Sequence, residues 1–178
     1  DDRDIVLAAV KNHGASLECA RAEWRRDREI VLHSVREHGL SLKFAAPSLK
    51  GDREVVRTAV ARNGLALKYA SAKMKGDYEI AHAAVTQNGW VLEMLPAPLR
   101  SDRAIVLAAV RSQGQAIQHV VGGLASDREV VLAAVRSSGE ALRHIPAELK
   151  HDQEVRNAAF TGFTSFETAE YFLSLLRD

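Results

Sequence analysis

Asp127-Arg128-Glu129-Val130-Val131-Leu132-Ala133-Ala134-Val135-Arg136-Ser137-Ser138-Gly139 reads as one punctuated helix. The Asp127 carboxylate suits an N-cap, accepting free N–H groups of the first turn. Glu129 favours the positive end of the helix dipole. Val130 with Ala134, and Val131 with Val135, recur at helical spacing. Gly139 ends the run, most simply as a left-handed C′ residue. The stretch predicts a helix of about three turns.

The same phrase recurs along the chain. Asp2, Asp27, Asp52, Asp77, Asp102, Asp127 and Asp152 are spaced by 25 residues, and Gly14, Gly39, Gly64, Gly89, Gly114 and Gly139 follow twelve residues after each of the first six. Val10 to Val135 form another column at this step, and Leu17, Leu42, Leu67, Leu92, Ile117 and Leu142 another. After each Gly a shorter helix is expected, as in Leu40–Ala45, then a single turn such as Pro47–Lys50. Pro47, Pro96, Pro98 and Pro146 all fall in that connector, where proline stops one helix or starts the next turn. A 25-residue unit cannot bury its apolar face alone, so the units must stack. The expected fold is all-α: an α-solenoid of seven helical repeats, each a long helix, a short helix and a single-turn connector. Residues 1–151 hold six complete repeats, and 152–178 a degenerate seventh acting as a C-terminal cap, with Phe160 replacing the recurring Val and Phe163, Phe166, Tyr171 and Phe172 crowding the end.

Composition agrees and excludes little. The 178 residues are 47% hydrophobic but only 6% aromatic, so the core must be built from small, close-packing side chains. Lys and Arg total 24 against 23 Asp and Glu, a formal net charge of +1, which removes the simplest case for nucleic acid, a strongly basic domain. Cys19 is the single cysteine, so no intrachain disulfide is possible. No apolar run approaches the roughly 18 residues of a membrane span, and the composition is compatible with a soluble, cytoplasmic protein. The opening Asp1-Asp2, without Met, suggests a piece of a longer protein.

The pattern D-R-E-V-V-L-A-A-V-x-x-x-G-x-A-L-x-x-A, clearest from Asp127 to Ile145 and nearly as clear over Asp2–Ala20 and Asp52–Ala70, resembles the tandem repeats of the family called domain of unknown function 4116. The resemblance runs from Asp2 to about Asn157. It implies an all-helical array with no assigned activity, and it brings no catalytic or binding residues. A fainter similarity, to the longer repeats of transcription-activator-like effectors, is analogy only.

No constellation points to catalysis. Cys19 and Ser34 lack recurring partners for a triad, no phosphate-binding glycine loop follows a strand, and the recurring Asp residues are explained by capping. The seven His fall in columns, such as His13 with His38. Stacked helices lie about 8–10 Å apart, too far for one Zn²⁺ bound at about 2 Å by each ligand. The chain therefore reads as non-enzymatic, with no cofactor, metal or small-molecule substrate. Arg3, Arg28, Arg53, Arg103 and Arg128 run beside Glu29, Glu54, Glu79, Glu129 and Glu154, which predicts a charged ladder fixing register between units.

The variable columns are the candidate site. Two positions of the short helix, four apart and so placed on one face of an α-helix, read Leu40/Phe44, Leu65/Tyr69 and Trp90/Met94 in the second to fourth units, and Gln115/His119 and Glu140/His144 afterwards. These six apolar residues form a stripe fit for a partner's apolar helix or peptide; finishing local packing is the other reading. The loop residues before Gly are polar throughout, and Lys11, Arg36, Arg62, Arg111 and Arg136 among them support an alternative, nucleic-acid binding, with short-helix N-termini receiving phosphates. A third possibility is a structural spacer within a larger repeat protein.

Overall fold

The computed structural model describes residues 2–163 and shows an all-α, solenoid-like repeat in which the described residues form no strand. The chain divides into two compact units, Asp1–Gln87 and Asn88–Asp178. The aromatic-rich segment from residue 164 onward, read as a cap, lies outside the described residues.

The first unit contains α1 (Arg3–Asn12), α2 (Arg28–Glu37), α3 (Arg53–Arg62) and α4 (Tyr78–Gln87). The second contains α5 (Arg103–Ser112), α6 (Arg128–Ser137) and α7 (Gln153–Thr161). The Asp column begins these helices as expected: Asp27 Oδ1 accepts the N–H groups of Glu29 and Ile30 at 2.9 and 3.1 Å, and Asp127 and Asp152 repeat the arrangement. Within the first unit α1 packs on α2, α2 on α3 and α3 on α4; within the second, α5 packs on α6 and α6 on α7. In each unit the spine is made of the periodic apolar columns, with every member from Val10 to Val135 and from Leu17 to Leu142 buried. The seventh unit breaks the Val column: Phe160 is 40% exposed.

Two local expectations are corrected. The recurring glycines are not left-handed caps, because the one residue with positive φ among those described is Gly122 in a connector. The long helix instead ends on an extended residue (φ −140°, ψ 95° at His38), and the glycine then opens the second helix. What demands glycine is proximity. A Cβ on Gly14 would lie 2.5 Å from the Ser34 carbonyl oxygen, and one on Gly64 2.7 Å from that of Ala84. Gly39 meets the Ala59 carbonyl, Gly89 that of Ala109 and Gly114 that of Ala134 just as closely. Each contact joins a glycine to the backbone of the next long helix, twenty residues on. The second helix is also not α-helical: Gly14–Cys19, Gly39–Phe44, Gly64–Tyr69, Gly89–Met94, Gly114–His119 and Gly139–His144 are 3₁₀ helices of six residues.

The two explanations of the glycines differ in outcome. A left-handed position tolerates Asn, whereas a crowded one rejects any side chain. Gly39→Ala and Gly39→Asn are both expected to cost about 1–3 kcal/mol, the range for overpacking, measured by urea unfolding. Gly123→Ala, whose added Cβ has nothing within 4 Å, should stay within about 0.5 kcal/mol of the parent.

Candidate functional site

The charged columns meet as a ladder. Arg3 Nε lies 2.8 Å from Asp27 Oδ2, and its Nη2 lies 2.6 Å from Glu29. Arg28 grips Asp52 and Glu54, and Arg53 grips Asp77 and Glu79, in the same way. In the second unit Arg103 spans Asp127 and Glu129, and Arg128 spans Asp152 and Glu154. Each of these Asp residues works twice, one oxygen capping its own helix and the other receiving the arginine of the preceding repeat. The arginine hydrogen bond, followed in effect by capping N–H groups, holds the carboxyls of Asp27, Asp52 and Asp77 below the usual range. For Asp127 the Val130 N–H is the larger cause. These charges satisfy one another between repeats, so they serve stacking rather than forming a free binding strip.

Carboxyls with lowered folded pKa values bind fewer protons folded than unfolded in acid, so their stabilisation is complete above their ordinary values near 4. It is lost as pH falls through the lowered folded values. The urea midpoint should therefore be insensitive to these groups from pH 8 to about 5 and fall steeply below about pH 4. Arg28→Ala should reduce that acid slope, measured by repeating the titration on the variant.

The variable columns lie on the 3₁₀ helices. In the first unit Leu40, Phe44, Leu65 and Tyr69 are all half-buried. In the second, Met94 is half-buried and Trp90 is 37% exposed. At three residues per turn, positions four apart diverge by about 120°, so Leu40 and Phe44 do not share one face, as α-helical spacing would require. In the first unit Gly39–Phe44 packs beside Gly64–Tyr69, so the equivalent residues Leu40 and Leu65, and likewise Phe44 and Tyr69, form two lines rather than one stripe. Lys43 lies between them in sequence, its ammonium 4.3 Å from the Phe44 ring centroid. In the second unit the same columns also reach across repeats: Trp90 meets His119 edge-on at 6.1 Å, and Gln115 donates to Glu140 at 2.5 Å. At His144, desolvation first, then the neighbouring Arg143, hold the imidazole below its ordinary pKa.

The five basic residues of the alternative reading, Lys11, Arg36, Arg62, Arg111 and Arg136, are all exposed. They belong to the last turns of the long helices rather than to loops, since only one residue, such as His13 or Asn63, separates helix from glycine. Arg111 lies 3.5 Å from Glu129 and Arg136 3.9 Å from Glu154, so two of the five already face carboxylates. Arg62 donates to the Glu37 carbonyl. Among the described residues no three His, Cys, Asp or Glu side chains gather where a metal would sit, and no helix is long and apolar enough to cross a membrane. Ser34, considered above as an isolated nucleophile, is fully buried, and its hydroxyl donates to the Gly14 carbonyl at 2.7 Å. Ser41 donates to the same carbonyl at 3.1 Å. That pairing escaped sequence reasoning, although Ser34 standing in a column otherwise read as Ala was its visible signal.

Comparison with known proteins adds the family. No curated protein and no solved structure matches the chain. The family model described as "Domain of unknown function (DUF4116)" matches residues 2–50, 27–75, 52–97, 77–120 and 127–161, the first four matches each spanning nearly two of the 25-residue repeats. The chain belongs to the DUF4116 family, as tandem copies of its repeat.

Proposed function

We propose that the chain is a non-enzymatic helical-repeat module that binds a protein or peptide. The contact residues are Leu40, Phe44, Leu65 and Tyr69 in the first unit, and Trp90 and Met94 in the second. One observation carries the reading: these large apolar side chains remain partly exposed on successive 3₁₀ helices, at positions where later repeats place Gln115, His119, Glu140 and His144. The stacking columns from Val10 to Val135 and from Leu17 to Leu142 stay apolar and buried in every complete repeat. A column that is apolar in some repeats and polar in others is therefore not required by the fold, and its chemistry is free to serve recognition. In the first unit the two apolar lines with the exposed Lys43 and Lys68 suit a peptide offering apolar anchors and acidic neighbours. Burying such anchors is favourable by about 25 cal/mol per Å² of apolar surface.

The test places a photo-crosslinking amino acid at Tyr69 and, as a control, at the exposed Arg57 on the long helix. Crosslinking to one defined protein is expected from position 69 and not from 57. Leu65→Ser with Tyr69→Ala should reduce capture at least tenfold with thermal unfolding unchanged; capture at parental strength by that folded variant would sink the proposal. Retention on nucleic acid that falls steeply with salt would favour the basic residues instead.

A further inference from the structure

The first long helix leaves exposed the face that the later long helices bury. Along the spine, the residue three places after each N-cap Asp is Ile30, Val55, Ile80, Ile105, Val130 or Val155, and each is buried to within 1%. The equivalent residue of α1, Ile5, is 67% exposed. Four residues further on, the column of small residues that receives the glycine of the preceding repeat runs Ser34, Ala59, Ala84, Ala109, Ala134 and Ala159, all buried, whereas Ala9 is exposed. Ile5 and Ala9 lie one turn apart on one side of α1.

The electrostatics of this face match. Asp2 caps α1 through one oxygen, accepting the Asp4 N–H at 3.2 Å. The second oxygen, which in Asp27, Asp52 and Asp77 receives an arginine from the preceding repeat, has no arginine among the described residues. Asp4 stands where Glu29, Glu54 and Glu79 complete the fork. It is one methylene shorter, so the contact at Asp2 would carry the register. Apolar residue, small residue and paired carboxylates thus recur on α1 in the arrangement that α2, α3 and α4 each present to the helix before them.

We propose that this face of α1 is a docking surface for one further repeat of the same pattern. Such a repeat would bring an arginine at the start of its long helix to Asp2 and Asp4, and a glycine opening its 3₁₀ helix to the Ala9 carbonyl. The occupant follows from continuity with an interface that the first unit forms three times, at α1–α2, α2–α3 and α3–α4, and from the complementary charge. The proposal is independent of the partner-binding reading, because it concerns the end of the spine and not the 3₁₀ helices.

The test adds a copy of Asp27–Gly51 directly before Asp2, replacing Asp1, which keeps the 25-residue step. Hydrogen exchange of the α1 amides should slow at least tenfold relative to the parent chain, and the added segment should itself be protected. Gly39→Leu made within the added copy should reverse the slowing. Ile5→Asp should leave the parent's unfolding temperature unchanged and lower that of the extended chain. Unchanged exchange in α1, or an added segment that exchanges as unfolded chain, would overturn the proposal. So would self-association of the unextended parent, seen by sedimentation and abolished by Ile5→Asp, since a second copy would then own the face.

Discussion

The constraint on which the stack depends is the absence of a side chain at one position in each repeat. Where the 3₁₀ helix begins, its backbone runs against the carbonyl of the residue twenty further on, so closely that a Cβ at Gly14 or Gly64 would fall inside 3 Å. Close packing leaves no slack to absorb such an intrusion. The rest of the composition follows from this approach. The residues receiving the glycine are Ala or Ser, because a larger side chain there would hold the backbones apart. The columns beside them are Val, Leu and Ile, whose volumes fill a narrow gap between helices, and a chain with this spacing has little room for buried rings. Ser34 and Ser41 show the same economy of space: both hydroxyls reach the Gly14 carbonyl, so their polarity is satisfied without a water.

Close approach fixes the distance between repeats but not their register, and that is the work of the aspartates. A helix N-cap needs an acceptor for the first-turn N–H groups, and a carboxylate has a second oxygen left over. The arginine 24 residues earlier takes that oxygen and extends to the glutamate beyond. Such exposed pairs add little individually to stability. Their value lies in geometry: a guanidinium that satisfies two carboxylates at once fits in one alignment. The arginine column lapses at Tyr78, where Ala104 also replaces the glutamate 26 residues on, and at Gln153 in the seventh repeat. At Tyr78 the arginine and the glutamate it would reach are absent together, while Asp102 keeps its capping role.

The fold was legible because period, cap and core column are each written in residue type. Asp, Gly and the Val and Leu columns place every long helix to within a residue, and the burial of the Leu17 to Leu142 column agrees with the spacing alone. What the sequence hid was local geometry. Glycine after a helix has two common uses, a left-handed cap and close packing, and only the neighbouring carbonyl distinguishes them. Leu40-Ser41-Leu42-Lys43-Phe44 fits a short α-helix as well as a 3₁₀ helix, because a six-residue segment is too short for periodicity to separate them. That ambiguity carried into the candidate site. The variable positions were visible, but their grouping on one face assumed 100° per residue, and at 120° they split into two lines.

This split bears on what kind of surface the repeats offer. An α-helical stripe would present a single ridge in each repeat. A 3₁₀ helix instead sets residues three apart above one another, so Leu40 aligns with Lys43 and Ser41 with Phe44. Of these four, Ser41 is buried, Leu40 and Phe44 are half-buried and Lys43 is exposed. In the second and third repeats a lysine, Lys43 or Lys68, thus stands beside two half-buried apolar residues, whereas Glu18, Glu93, Gln118 and Arg143 hold that position in the others. Because spine residues are uniform and edge residues are not, substitution at the edges changes surface chemistry while the contacts that hold the array remain in place. Stacking and surface chemistry thus sit on different columns of the same short unit, which lets an array keep one fold while its surface passes from Leu, Phe and Tyr to Gln, Glu and His.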